Sequence, residues 1–154
     1  MKGLTQAVSV PEGKRRRSRE LSGFPLDRSV WRWFVPCPVM LRQVLKSKLY
    51  KAVASDSIVD YEGSIEIPRD LMEAADLWAG EKVLVASNET AARMETYLLP
   101  GEPGTGRILI NGGAANRIKK GERLTIMAFA LTDAPVDPVK LVLDADNRIV
   151  RSGK

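Results

Sequence analysis

From residue 40 onward, apolar and polar positions alternate in short runs. Ile65 and Ile67 flank Glu66, Val83 and Val85 sit with Leu84 and Ala86, Ile108 and Ile110 flank Leu109, and Leu124, Ile126 and Ala128 enclose Thr125 and Met127. A period of two predicts β-strands, and runs that are apolar at both parities predict strands covered on both faces. One helix stands out: Pro68 can open it, Leu71, Ala74, Ala75 and Trp78 share a face, and Gly80 follows as a stop. A second helical turn is expected over Ala114 to Lys119, closed by Gly121. Asn88-Glu89-Thr90, Pro100 to Gly106, Asn111-Gly112-Gly113 and Asp144 to Asn147 read as connections, the last as a hairpin tip. Some six short strands with one or two small helices predict a mainly β fold, a small closed barrel, which would leave no sheet edge exposed.

The first 39 residues follow neither period. They carry eight Lys/Arg against three Asp/Glu, whereas residues 40–154 carry sixteen of each, so the whole net charge of +5 belongs to this segment. With Pro11, Pro25, Pro36 and Pro38 in it, the segment is expected to be a disordered basic extension, 1–39, ahead of a folded domain, 40–154. Lys14 to Arg19 could meet an acidic partner such as RNA or a membrane surface, but a solvated run is the favoured reading, and neither nucleic acid nor membrane is expected as a partner. Trp31, Trp33 and Phe34 are the segment's one apolar cluster, and Met40, at the change of composition, is an alternative start of the chain.

Composition then narrows the chemistry. The chain contains no histidine, which excludes a Ser-His-Asp triad, a Cys-His pair, imidazole metal ligands and a histidine base. The single cysteine, Cys37, excludes an intramolecular disulfide and thiolate metal clusters. No metal is expected, no apolar run is long enough for a membrane span, and a cytoplasmic setting follows. Decarboxylation or amine chemistry would need an electrophilic electron sink that no ordinary side chain supplies. A chain can make one from its own backbone. In Tyr61-Glu62-Gly63-Ser64, the serine hydroxyl can attack the carbonyl of the preceding residue, the resulting ester can eliminate to dehydroalanine, and hydrolysis of that leaves a pyruvoyl group. Glycine before the serine permits the strained peptide such an attack requires, although a Gly-Ser pair by itself is an ordinary turn.

The surroundings of that pair carry more. Lys48 in Lys46-Ser47-Lys48-Leu49, Tyr61-x-Gly63-Ser64, Arg93-x-x-Thr96-Tyr97 and Asn111-Gly112 occur in the order and spacing of one family, with Met40-Leu41-Arg42, Leu71 to Asp76 and Gly104-Thr105-Gly106 beside them. From Met40 to about Ala130 the chain resembles the pyruvoyl-dependent aspartate 1-decarboxylases. The resemblance implies a six-stranded double-psi β-barrel, assembled as a homotetramer and made as a proenzyme cleaved between Gly63 and Ser64, with a maturation factor as a further possible partner. Ser64 becomes the covalent pyruvoyl group, which forms a Schiff base with L-aspartate, and the products are CO2 and β-alanine for pantothenate and coenzyme A synthesis.

By the same resemblance, Arg93 binds the substrate's side-chain carboxylate, for which a planar guanidinium is suited, and Lys48 adds a point charge. Thr96 is similar to the processing threonine and Tyr97 to the proton donor. Tyr61, Asn111, Gly112, Gly113 and Ala114 match substrate-binding positions. Each has a plain alternative: an exposed strand arginine, a solvated lysine, a strand-forming threonine, packed tyrosines, an Asn-Gly turn. Three departures stand out. Tyr50 replaces the histidine that usually follows the lysine by two residues, Gly113 replaces an alanine, and the Asn-Gly turn usual before the arginine is absent around Thr90 to Ala92. These departures keep open a non-catalytic barrel homologue acting as a binding module, and the basic segment keeps open nucleic-acid binding. Beyond Ala130 the resemblance fades, and Lys140 to Lys154 is expected to be a peripheral hairpin.

Overall fold

The computed structural model describes residues 39–153. The expected basic extension, with its Trp31, Trp33 and Phe34 cluster, lies outside the described residues apart from Val39.

The alternating segments form strands β1 (Arg42–Val53), β2 (Asp56–Ile58), β3 (Ser64–Pro68), β4 (Lys82–Ser87), β5 (Arg93–Gly101), β6 (Leu109–Asn111), β7 (Arg123–Thr132), β8 (Val139–Leu143) and β9 (Ile149–Gly153). Their order in the sheet is β2-β6-β3-β5-β4-β7-β1-β8-β9. The fold is mainly β, as the period of two requires, but with nine strands instead of six and with two sheet ends, β2 and β9, in place of the expected closure. The difference comes from short β2, whose three residues carry too little pattern to read, and from the C-terminal pair β8 and β9.

That pair forms the expected hairpin, with β9 exposed at the end of the sheet, but β8 is not peripheral. The tip falls at Asp144 to Asn147 as expected, yet β8 runs parallel to β1, with Leu141 beside Leu49, and Leu141 and Leu143 are fully buried. Ile65, Ile67, Leu98, Ile108, Ile110, Leu124 and Ile126 are among the residues that fill the interior, which explains why these strands are mostly apolar at inward positions.

Helix α1 (Arg69–Ala74) begins after Pro68 as predicted but ends well before Trp78, which is exposed. Asp76 adopts a left-handed φ of 52° there. The Leu77 amide donates to the Met72 carbonyl at 2.9 Å and the Asp76 amide to that of Glu73 at 3.1 Å, with Leu77 and Met72 both buried. This is the paired closure of a Schellman motif, with aspartate where glycine is usual, so the stop expected at Gly80 comes early. The second expected helical turn is a 3-10 turn and starts sooner, at Gly112–Asn116, directly after β6.

Candidate active site

Ser64 is the first residue of β3 and pairs across an antiparallel ladder with Asn111, the last residue of β6. Both are buried, and the Asn111 amide Nδ2 donates to Ser64 Oγ at 3.1 Å. Asn111 Oδ1, equally buried, has no hydrogen-bond partner. A buried, unsatisfied amide oxygen is costly and marks a place built for something other than packing.

The peptide entering Ser64 is held by two glycines. Gly63 has φ +98°, a conformation that side chains rarely tolerate. Gly112 has φ +74°, and a Cβ on it would lie 2.5 Å from Gly63 Cα, 2.7 Å from Gly63 N and 2.8 Å from the Tyr61 carbonyl oxygen. Only a residue without a side chain lets the 3-10 turn close on the Gly63–Ser64 junction. Tyr61 itself is exposed, Gly113 faces open space, and Ala114 is half-buried against the core.

The next group lies on β5. Ile65 pairs with Leu98 in a parallel ladder, so Ser64, the first residue of β3, and Tyr97, the fifth of β5, each come one residue before that pair. Arg93, Glu95 and Tyr97 alternate outward and are exposed, while Thr96 turns to the opposite face, across the β4 ladder from buried Val83. One step before the ladder's first pair, Tyr97 is therefore level with Ser64 in sequence register, and Arg93 lies four residues earlier on the exposed face of β5.

Lys48 is separate. It lies on β1, half-buried, and β1 shares ladders with β7 and β8 but none with β3, β5 or β6. Its Nζ rests 5.4 Å from the centroid of the Tyr50 ring, and Lys51 Nζ lies 5.8 Å from the same ring. By sequence alone Tyr50 stands out only as a departure. Its contact with Lys51 depends on a strand irregularity that no residue pattern announces.

Among the described residues, no three His, Cys, Asp or Glu side chains gather in a metal-binding group, and no helix is long and apolar enough to cross a membrane. Three surface clefts, of about 260, 350 and 320 Å³, are lined by other residues, two of them around Gly104, Gly106 and Asn147.

Comparison with known proteins supplies a family. The family model for aspartate decarboxylase matches residues 40–150. The chain belongs to the aspartate decarboxylase family. It is 46% identical over 118 residues to an aspartate 1-decarboxylase of Corynebacterium efficiens, covering 74% of this chain and 87% of that relative. An aspartate 1-decarboxylase of a Thermotoga species is 42% identical over 112 residues, covering 73% and 98%, and one of Pseudothermotoga lettingae is 40% identical over 112 residues, covering 71% and 97%. The aspartate decarboxylase match runs past Ala130, where the resemblance was expected to end. The matched stretch includes β8, which packs against β1.

Proposed function

We infer that the protein is an aspartate 1-decarboxylase that converts L-aspartate to β-alanine and CO2, a step toward pantothenate and coenzyme A, and that it makes its own cofactor at Ser64. The observation that carries this is the Gly63-Ser64 junction, with its Asn111 contact and the Gly112 backbone pressed against it. The family supports a small barrel, and we extend this to the double-psi form.

In maturation, Ser64 Oγ attacks the Gly63 carbonyl carbon, and the hydroxyl proton passes to the departing amide nitrogen as the C–N bond breaks and an ester forms. The Asn111 amide, which donates to Oγ without competing for that proton, orients the attack. Left-handed Gly63 presents its carbonyl in a strained peptide. Loss of the Ser64 Cα proton and of the Gly63 carboxylate leaves dehydroalanine, and water then releases ammonia and leaves the pyruvoyl group at the head of β3. Thr96 is assigned the hydroxyl that steadies the oxyanion.

The residues present fit a small carbonyl-bearing group at position 64. Asn111 offers a nitrogen donor to a carbonyl oxygen there, and the bare Gly112 lets the turn close against the Gly63 backbone that leads into it. The pyruvoyl group supplies the electron sink that amino-acid decarboxylation requires. Around it, Arg93 holds the substrate's side-chain carboxylate through its fork, Lys48 adds charge, and Tyr97 returns a proton to the substrate's Cα. Tyr61, Gly113 and Ala114 border the same place.

Lys48 and Ser64 are separated by three strands in sheet order, and Arg93, Tyr97 and Tyr61 lie exposed in the single chain. This supports the homotetramer, in which a second copy brings its Lys48 to the first copy's Ser64. The deciding test is the denatured intact mass, recorded fresh and after warming. Two chains that meet at Gly63/Ser64, the C-terminal one lighter by an ammonia equivalent, are expected; a single chain that stays intact under maturing conditions refutes self-processing and favours a binding module.

A further inference from the structure

Lysines on an outer sheet face ordinarily find a carboxylate or point to water. Lys46, on the same strand as Lys48, shows the first case, with its Nζ 2.8 Å from Glu81 Oε1. Lys48 does neither. Leu49 is buried beside Leu141, so Lys48 and Tyr50 share the outward face of β1, and Lys140, in register with Lys48 on parallel β8, shares it too. None of the three ion pairs among the described residues includes Lys48, Lys51 or Lys140.

Lys51 completes the arrangement against the normal geometry of a strand. Strict alternation would send it inward, opposite in sense to Tyr50. Instead the β1–β7 register shifts between Tyr50 and Ala52, Lys51 takes a left-handed φ of 64°, and its ammonium comes to the Tyr50 ring. Both ammonium groups fall within the reach of cation–π attraction.

We propose that Tyr50 is a positioning residue, whose ring holds the Lys48 ammonium in place for a dicarboxylate while Lys51 and Lys140 enclose the same cationic face. The proposal rests on the reading of Lys48 as a carboxylate-binding residue. Its physical sense lies in the kind of hold. A carboxylate partner would fix Lys48 and cancel its charge; an aromatic face fixes it and leaves the charge available to an anion. Lys140, a like charge beside it on the neighbouring strand, disfavours the alternative in which Lys48 swings toward β8.

The test uses the full chain with Tyr50→Leu, Tyr50→Phe and Lys140→Glu, the last offering Lys48 a competing carboxylate. KM and kcat are measured for aspartate, and succinate binding is measured by calorimetry in each variant and in an uncleaved Ser64→Ala background. Tyr50→Leu is expected to raise KM and the succinate Kd about two- to five-fold, the range of an exposed cation–π contact, with kcat and Gly63–Ser64 cleavage unchanged. Tyr50→Phe, which keeps the ring, restores the original values, and Lys140→Glu weakens binding at least as much as Tyr50→Leu. Binding unaltered in both Tyr50→Leu and Lys140→Glu overturns the proposal, as does equal loss in Tyr50→Phe and Tyr50→Leu. An uncleaved wild-type chain that turns over no aspartate would instead remove the decarboxylase reading, and succinate binding would still report on Tyr50.

Discussion

At Gly112 a methyl group has nowhere to go, because the atoms it would strike are the backbone of Gly63 and Tyr61. Gly112→Ala combines that collision with a left-handed φ, and is expected to cost at least about 1 kcal/mol and to slow cleavage, both read from a melting curve and the intact mass. Ser47 makes the opposite case. Its hydroxyl is buried at a β1 irregularity with no hydrogen-bond partner, so Ser47→Ala is expected to raise stability by about 1 kcal/mol in a urea titration. Of these residues the sequence marked Gly63, Ser64, Asn111 and Gly112, because their types and spacing form a motif. It could not show that Asn111 faces Ser64. That pairing is set by the register of β3 against β6, which depends on everything folded between them.

Whole elements were legible where the pattern was long and both of its ends were marked. The apolar alternation placed β3, β4 and β7, since burial of Ile65, Ile67, Val83, Val85, Leu124 and Ile126 is what such alternation encodes. The end of α1 was hidden, because Asp76 rather than a glycine makes the left-handed turn. The β8–β9 turn hid its importance in a single side chain. Asn147, buried with φ 60°, accepts from the Val53 amide at 2.7 Å and donates to the carbonyls of Val53 at 2.9 Å and Gly106 at 2.7 Å, tying that turn to β1 and to the loop before β6. Asn147→Ala leaves these groups unpaired and is expected to cost roughly 2–4 kcal/mol, measured as a lowered urea midpoint without change in slope. At the other end of β7, the Arg123 guanidinium hydrogen-bonds Glu89 at 2.7 Å and holds its carboxyl below the ordinary value. A depressed carboxyl stabilises above its unfolded pKa and loses that contribution as pH falls through the lower folded value. Glu89→Gln should therefore lower stability slightly at neutral pH, the pair being exposed, and its stability should converge with the parent's as pH falls below about 4.5, read from urea midpoints across pH.

Across the whole molecule, the proposed site divides into a Ser64, Asn111 and Tyr97 group and a Lys48 group on a distant strand of the sheet. Sequence spacing carries no information about which copy of a chain supplies a residue, so this division was not legible. Lys48→Ala and Ser64→Ala chains, each inactive alone, are expected to regain activity when co-expressed, in about a quarter of sites for random mixing between copies. No recovery would mean that one chain supplies both residues. The place of β1 has a last consequence. A chain cut after Gly63 leaves its shorter piece holding β1, laddered to β7 from Arg42 opposite Thr132 to Val53 opposite Arg123, and to β8 on its other side. The pieces therefore cannot part while the fold lasts. Once denatured, they must find each other by diffusion, so forming the β1 ladders changes from a first-order event within one chain to a second-order encounter, and dilution slows even this step, which the uncut chain completes before any assembly of copies.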